Sequence, residues 1–465
     1  MIGIKDSRRR TAQNLSMKQD LLARYGAAAP RYTSYPTAPH FCGSIGASAY
    51  RDALSQLSVE EPVSLYLHIP YCDTLCWFCG CHTKITRQYR PVRDYVDSLV
   101  QELLLIAETA PPGLRMSHMH WGGGSPTLLR EKDILRLARA AIALFRPLGG
   151  FEFAVEIDPR DAGGGRIASL VTAGLTRASI GVQDFDPQVQ RSINRVQSFA
   201  ETARVVDSLR ERGVQNLNLD LMYGLPYQSK ARTLATVQRA LDLDPDRIAL
   251  FGYAHVPWMK PHQRLIPEDA LPGPEERLEA FDAASDLLVR AGYMKIGIDH
   301  FAKPTDSMAK AQAAGKLRRN FQGYTTDTAA SLIGAGASAI SHLPNLYLQN
   351  TAQLHRYSDR VRQGELPIDK GVRLTADDRL RAAIIERLMC DFSVDLSKLC
   401  TIHGTAPTDI ADALARLEPM VSDGLLIIEA GKLEIQPIGK SYIRQIAACF
   451  DKYFNNGPGK HSQVI

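Results

Sequence analysis

VSLYLHIPYCDTLCWFCGC, residues 63–81, decides how this chain is read. In its first seven residues Val63, Leu65, Leu67 and Ile69 alternate with Ser64, Tyr66 and His68, and this period of two predicts a β-strand. Four thiols follow at once: Cys72, Cys76, Cys79 and Cys81. A strand running straight into a loop of metal-binding residue types places chemistry at the strand's carboxyl end.

The same rhythm recurs downstream. PVRDYVDSLVQELLLIA (91–107) opens on proline and carries Tyr95, Val96, Leu99, Leu103 and Ile106 on one helical face. MSHMHW (116–121) reads as the second strand and runs into Gly122-Gly123-Gly124, after which Ile134, Leu137, Ala141 and Phe145 mark a helix. FEFAVEID (151–158), ASIGVQD (178–184), NLNLDLMYG (216–224), RIALFGYA (247–254) and KIGIDH (295–300) continue the strands, with helical segments between them. Strand–helix alternation predicts parallel strands with crossover helices, hence an α/β fold in the form of a barrel or part of one. Polar groups gather at the strand ends: the cysteines, the glycine run, Glu156 and Asp158, Gln183 and Asp184, Asp220, and Ala254-His255. In α/β barrels those ends converge on one mouth, so the pattern predicts an enzyme.

From about residue 373 the rhythm breaks. Leu380, Ile384 and Leu388 phase as a helix, residues 421–439 read as a hairpin turning at Glu429-Ala430-Gly431-Lys432, and Tyr442–Phe450 returns to helix. We expect three parts: an arm over 1–55, the α/β barrel over 56–350, and a small, mainly helical, winged-helix-like unit over 366–465. Winged helices often bind DNA, but residues 366–465 hold 12 Lys plus Arg against 13 Asp plus Glu, and a DNA-binding wing needs a basic footprint.

Composition agrees. The 465 residues are 45% hydrophobic and 23% charged, which excludes disordered and fibrous classes, and the net charge of +5 argues for neither nucleic acid nor membrane partners. Arg8-Arg9-Arg10 is followed by no apolar run, so no secretory or twin-arginine signal is read. No stretch approaches the ~18 apolar residues of a membrane helix. The expected location is cytoplasmic, where thiols stay reduced and clustered cysteines bind metal. Eight cysteines are too few for a disulfide scaffold; Cys42, Cys390, Cys400 and Cys449 read as inert thiols.

The spacing C-x3-C-x2-C, with Cys81 two residues on, leaves two metal chemistries open. Four cysteines can hold zinc, although structural zinc sites usually join two separated pairs. Three thiolates around an iron–sulfur cubane leave one iron open to a chelating small molecule. The loop after the first strand resembles that of the radical S-adenosylmethionine (SAM) enzymes. In that superfamily three cysteines hold a 4Fe-4S cluster, SAM binds the open iron, and reductive cleavage yields a 5′-deoxyadenosyl radical. The resemblance assigns Cys72, Cys76 and Cys79 as iron ligands.

More specifically, PRYTSYPT (30–37), YLHIPYCDTLCWFCGCHTKITR, WGGGSPT, EIDPR, GVQDFD, QRSINR, NLDLMYGLP, FGYAHVP, GIDHFA and RNFQGYTT resemble the oxygen-independent coproporphyrinogen III oxidase family over residues 20–465. Such a resemblance implies a partial (βα)6 radical SAM barrel and an anaerobic step of haem biosynthesis. Two propionates of coproporphyrinogen III become vinyl groups, giving protoporphyrinogen IX, with two SAM molecules in one site. It also implies an external low-potential electron donor and an electron acceptor. Carried over, Tyr66 sits beside the cluster-bound SAM and Phe78 contacts SAM through its backbone. Gly123, Gly124 and Ser125 bind the SAM amino group; Glu156, Gln183, Arg195 and Asp220 are polar SAM ligands. Ala254 and Ile340 make backbone contacts to adenine, and Phe321 and Gln322 lie near the second SAM. Cys81 has no iron to bind but is needed for activity. For the substrate's carboxylates, Arg31, Tyr32 and Tyr35 of the arm supply the required cationic and hydroxyl chemistry. Haem-chaperone-like and haem-degrading relatives share the cysteine loop, but the chaperone-like ones typically lack both the fourth cysteine and the arm that this chain has. Nothing in these features demands more than a monomer.

Overall fold

The computed structural model describes residues 19–454, so the first part of the expected arm and the last part of the expected C-terminal unit lie outside it. Its centre is a twelve-stranded mixed sheet. Strands β1 (Val63–Ile69), β2 (Arg115–Gly123), β3 (Arg146–Ile157), β4 (Arg177–Gln183), β5 (Asn216–Tyr223) and β6 (Arg247–Gly252) pair in parallel, each with the next. These are the six strands read from the sequence, joined by crossover helices that include Tyr89–Thr109, Glu131–Leu144 and Lys230–Leu241.

The seventh expected strand, KIGIDH, is corrected. It breaks at Gly297, whose φ of 55° turns the chain, into β7 (Met294–Ile296) and β8 (His300–Ala302), which pair antiparallel beyond β6. The sequence reading missed β9 (Ser331–Ala335), which pairs in parallel with β1 on its free side. Strands β10 (Ile340–Leu343), β11 (Leu346–Asn350) and β12 (Ile368–Arg373) extend that flank antiparallel. The sheet therefore runs to Arg373, past the barrel limit expected at 350 and into the segment expected to open the C-terminal unit at 366. The edge of β11 would otherwise present unpaired N–H and C=O groups, which β12 satisfies.

Both faces of the parallel strands are covered, and their alternation sorts the side chains. Val63, Leu65, Leu67 and Ile69 are at most 1 % exposed and pack under the helices, while Ser64, Tyr66 and His68 face the lumen. In register, Tyr66 stands beside His120 and Ala154; one step on are Glu156, Ser179, Asn218 and Arg247; then come Gly181, Asp220 and Ala249. Lumen residues of β1 to β6 and β8 line one common cavity, so the sheet curls into a barrel. Ion pairs fill its amino-terminal end: Arg177–Glu152 at 3.0 Å, Arg247–Asp306 at 2.7 Å and His118–Asp327 at 3.1 Å. Chemistry is left to the carboxyl end.

The winged-helix pattern is present. Helix Ala376–Asp391 packs with Leu396–Ile402, Ala411–Ser422 and Ile443–Ala448, beside β13 (Ser393–Asp395), β14 (Leu426–Glu429) and β15 (Lys432–Ile435). The hairpin turns where expected, with Ala430 and Gly431 at φ 48° and 78°, the paired left-handed geometry of a two-residue turn. The arm divides in two: Leu21, Tyr32 and Tyr35 pack into the C-terminal unit, whereas helix Ala47–Ser55 buries Tyr50 and Leu54 in the barrel core. Among the described residues no helix is long and apolar enough to cross a membrane.

Half-buried His342 on β10 gives the fold a pH dependence. Burial, with help from Arg318, holds its pKa down to about 4. A base depressed in the folded state stabilises above its unfolded value, and that contribution is lost as pH falls from 6.5 toward 4, up to about 3 kcal/mol. Denaturant midpoints measured at pH 7 and pH 4.5 are expected to differ less for His342→Gln than for the parent chain. An equal drop in both proteins would refute this assignment.

Candidate active site

The carboxyl ends of the strands bring most of the expected residues to one mouth. The cysteine loop leaves β1 and is tied down on two sides. Trp77 N donates to Ile193 O at 2.9 Å and Asn194 Nδ2 to Leu75 O at 2.8 Å. On the other side a short turn, Pro261–Leu265, clamps the loop's carbonyls: Lys260 Nζ donates to Cys81 O (2.9 Å), His262 Nε2 to Cys79 O (2.8 Å) and Gln263 Nε2 to Phe78 O (3.0 Å). Gln263 also donates to Ala254 O at 3.2 Å, so Phe78 and Ala254 are held by one amide. The sequence reading found none of these clamp residues; they lie on an irregular loop with no periodicity to mark them.

Cys76 is 7 % exposed, and its thiol receives Arg160 Nη2 at 3.4 Å and Arg195 Nη1 at 3.6 Å. The same guanidiniums meet Asp158, at 2.7 Å from Arg160 and 2.9 Å from Arg195. Burial opposes ionisation of Asp158, but Arg195 and then Arg160 overcome it and hold its pKa at about 2. Arg195 also donates to Gly181 O at 2.6 Å, where a side chain on Gly181 would crowd it. Two cations thus flank a soft sulfur and are only partly neutralised by one carboxylate. Asp158 and Arg160 were not among the expected site residues, although the EIDPR motif contains both. Cys79 and Cys81 touch: the Cys81 thiol hydrogen-bonds Cys79 and brings its pKa down to about 7, while Cys79 pushes that of Cys81 up.

The glycine run passes where no side chain fits. A Cβ on Gly122 would lie 2.5 Å from Glu156 Oε1, one on Gly123 would overlap the His68 ring, and one on Gly124 would lie 2.6 Å from Tyr71 O. Gly124 N and Ser125 N are spent on Ile69 O and Tyr71 O, and the Ser125 hydroxyl pairs with Thr127 at 3.0 Å. Gly123 N donates to Glu156 Oε2 at 3.1 Å, and His120 Nε2 faces Glu156 Oε1 at 3.3 Å. Against burial, these two partners keep the Glu156 pKa below its usual value. Its side chain remains 42 % exposed because it points into the open mouth.

Tyr66 is fixed from both sides. Burial holds the His68 pKa down to about 4, so the ring is neutral at pH 7. Its Nε2 faces a carbonyl, His82 O, at 3.0 Å and must carry the proton. Nδ1 is then an acceptor and takes the Tyr66 O–H at 3.0 Å. The Tyr66 ring stacks on His120, centroids 5.9 Å apart. His68 and His120 were not expected site residues; the signal was their place on the same alternating face as Tyr66.

The remaining expectations divide. Gln183 adopts φ 70° at a bulge that ends β4 and lies beside Arg195. Asp220 accepts Ser179 (2.9 Å) and Asn218 (2.8 Å); burial raises its pKa against the Ser179 bond. Phe321 and Ile340 pack with Phe41 and Tyr347, apart from Gln322, which lines the lumen cavity with His120 and Ser64. The Tyr32 hydroxyl is committed to Asp451 (3.1 Å) and that of Tyr35 accepts Lys452 N (3.2 Å), so both tyrosines anchor the arm to the C-terminal unit. Arg31 donates to Gly252 O at 2.6 Å, at the end of β6.

A thiol-rich loop on β1, a glycine run on β2 and acidic groups on β3 and β5 define the class, and residues 66–240 match the family model of the radical SAM superfamily. Residues 374–441 match that of the HemN C-terminal domain. The chain is 46% identical to the oxygen-independent coproporphyrinogen III oxidase of Bradyrhizobium diazoefficiens, over 97% of this chain and 100% of that protein. With the Escherichia coli protein of the same name it shares 38% identity over 95% of this chain and 97% of the other. The solved structure described as "Coproporphyrinogen III oxidase (HemN) from Escherichia coli is a Radical SAM enzyme" superposes with a TM-score of 0.87 at 39% identity, covering 91% of this chain and 98% of that one. This chain belongs to the oxygen-independent coproporphyrinogen III oxidase family. The radical SAM family implies a 4Fe-4S cluster and SAM. The residues fit both: free thiols beside paired cations for the cluster, and a bare glycine cradle beside an open carboxylate for a zwitterionic ligand.

Proposed function

We propose that this chain converts two propionate side chains of coproporphyrinogen III to vinyl groups without oxygen, giving protoporphyrinogen IX. The observation that carries the reading is the convergence of the cysteine loop, the glycine run, Glu156 and the Asp158–Arg195 pair at one barrel mouth. Each propionate loses one hydrogen atom from its β-carbon, carbon dioxide and one electron, which leaves the double bond. When bound, the cluster and SAM supply the reducing electron and the hydrogen-abstracting radical.

This chain's residues prepare that chemistry. Cys72, Cys76 and Cys79 supply three thiolates. Arg160 and Arg195 offset thiolate charge. Gly123, Gly124 and Ser125 bind the SAM amino group; Glu156, Gln183, Arg195 and Asp220 meet its polar groups, Phe78 contacts it through its backbone, and Ala254 and Ile340 make backbone contacts to its adenine. Tyr66, oriented by His68, sits beside it. Phe321 and Gln322 serve a second SAM. An external electron donor and an acceptor complete the reaction, and the chain acts as a monomer.

The test is anaerobic reconstitution with iron, sulfide, SAM, a reductant and coproporphyrinogen III. We expect a product lacking two carboxyl groups; SAM cleavage with no such product refutes the substrate assignment, and a stable zinc holoprotein refutes the radical reading. Cys81→Ala is expected to keep the cluster and lose turnover. A colourless Cys81→Ala protein would show Cys81 to be a ligand instead.

A further inference from the structure

The catalytic groups leave a second concentration of charge unexplained. A cavity of about 70 Å³ lies where β5 and β6 end, between the arm, helix Pro274–Arg290 and the C-terminal unit. Arg31, Arg277, Lys295, Lys440 and Arg444 line it, against one carboxylate, Asp299. Asp299 is already paired with His300 Nδ1 at 2.6 Å.

Three of these cations, Arg31, Arg277 and Lys295, are gathered without an ion-pair partner among the described residues. Among the described residues Arg31 and Arg277 donate only to carbonyls, Gly252 O at 2.6 Å and Tyr253 O at 2.9 Å, and neither they nor Lys295 form an ion pair. Arg277 Nε is buried with no hydrogen-bond partner among the described residues. Aromatic faces stand where carboxylates would: Lys295 over Phe281 at 4.7 Å, Arg277 over Tyr223 at 5.6 Å and Lys440 over Phe392 at 4.9 Å. Arg444 donates to Ala29 O and Pro30 O, which fastens the arm to the cavity wall. Bare Gly252 makes room, since a Cβ there would come within 3.0 Å of Tyr223 Oη and 3.4 Å of Arg277 Nη2. Burial, and for Arg277 and Arg444 the neighbouring Arg31, depresses the pKa values of Arg277, Lys295 and Arg444, the last to about 9. Holding like charges together in a half-buried cavity is unfavourable unless an anion enters.

Size and position narrow the ligand. A space of about 70 Å³ holds a few waters or one short acidic arm, and no macrocycle. Tyr223 and Gly252 close β5 and β6, at the same end of the sheet as Cys72, Gly123 and Glu156. Guanidinium forks are suited to carboxylates. We infer that this cavity receives one carboxylate arm of the tetrapyrrole substrate, gripped by Arg277, Arg31 and Lys295, while the ring stays at the mouth. The inference rests on the substrate reading above.

Binding by the reconstituted full chain tests it. The probes are coproporphyrin III, its tetramethyl ester, and inorganic phosphate, read by porphyrin fluorescence and by thermal shift. The parent protein should bind the free acid at least about tenfold more tightly than the ester, and Arg277→Gln and Lys295→Gln should each remove most of that difference and raise KM more than they lower kcat. Among the described residues Lys295 makes no hydrogen bond through its side chain, so Lys295→Gln decides the matter if Arg277→Gln fails to fold. Unchanged preference for the acid in a folded Lys295→Gln overturns the cavity assignment while leaving the substrate reading intact. A parent protein that binds neither porphyrin nor turns over coproporphyrinogen III overturns the substrate reading itself. If phosphate stabilises the parent but not the variants, and porphyrin acid binds all alike, the cavity is a free-anion site and the substrate-arm inference fails.

Discussion

Cys76→Ala is expected to leave a colourless protein with no detectable turnover, after the same anaerobic reconstitution that colours the parent chain. Of the three proposed ligands Cys76 is the most buried, and it alone receives both Arg160 and Arg195. Removing its sulfur leaves two guanidiniums facing one another across Asp158 with a cation excess and no thiolate to offset it. Two remaining thiols can anchor only two irons of a cubane. Iron content, visible absorption and product formation read the outcome; Cys42→Ala, whose exposed thiol lies against Ser44 and Gly371, is the control. A Cys76→Ala protein with full iron content and its colour would overturn the ligand set.

Gly123→Ala is expected to lower kcat/KM by about 100-fold or more. Two costs combine. At φ 109° an L side chain is strained by about 1–3 kcal/mol. The added Cβ also overlaps the His68 ring, which is pinned between Tyr66 Oη and His82 O and has nowhere to go. Displacing His68 releases Tyr66, and shifting the Gly123 amide releases Glu156, so the proposed SAM cradle loses two of its fixed walls. A misplacement of about 1 Å at a reacting site is worth about 100-fold in rate. SAM binding by equilibrium dialysis should weaken in parallel. Gly163→Ala, at φ −66° with open space around its Cβ position, should leave both measurements unchanged. Near-parental activity in Gly123→Ala would mean that the cradle tolerates a side chain and that the glycine serves only the turn.

The strands and their carboxyl-end polar residues were legible because both faces of a parallel sheet stamp themselves on the sequence. Val63, Leu65, Leu67 and Ile69 had to be apolar under the helices, and what alternated with them had to face the lumen. β9 was missed because SLIGA is short and reads equally as an apolar loop segment; its strand identity comes from pairing with the free edge of β1 and with β10. KIGIDH carries a strand-like pattern, yet Gly297 turns it, and the two halves pair with each other and with β6. Lys260, His262 and Gln263 carry no periodic signal at all, since their role is to meet carbonyls about 180 residues earlier in the chain.

The sequence by itself determined the parallel α/β core, the winged-helix pattern of the tail and the clustering of four thiols after the first strand. Each of these is written in local spacing: a period of two, a period near 3.6, and thiols three or four residues apart. Only the tertiary structure decided which charges share a space. It set Arg160 and Arg195 on Cys76, fixed the His68 tautomer that orients Tyr66, committed Tyr32 and Tyr35 to the C-terminal unit, and gathered Arg31, Arg277, Lys295 and Arg444 around one cavity. Such encounters join residues tens to hundreds of positions apart, and Coulomb energy depends on distance in space, to which spacing along the chain is blind.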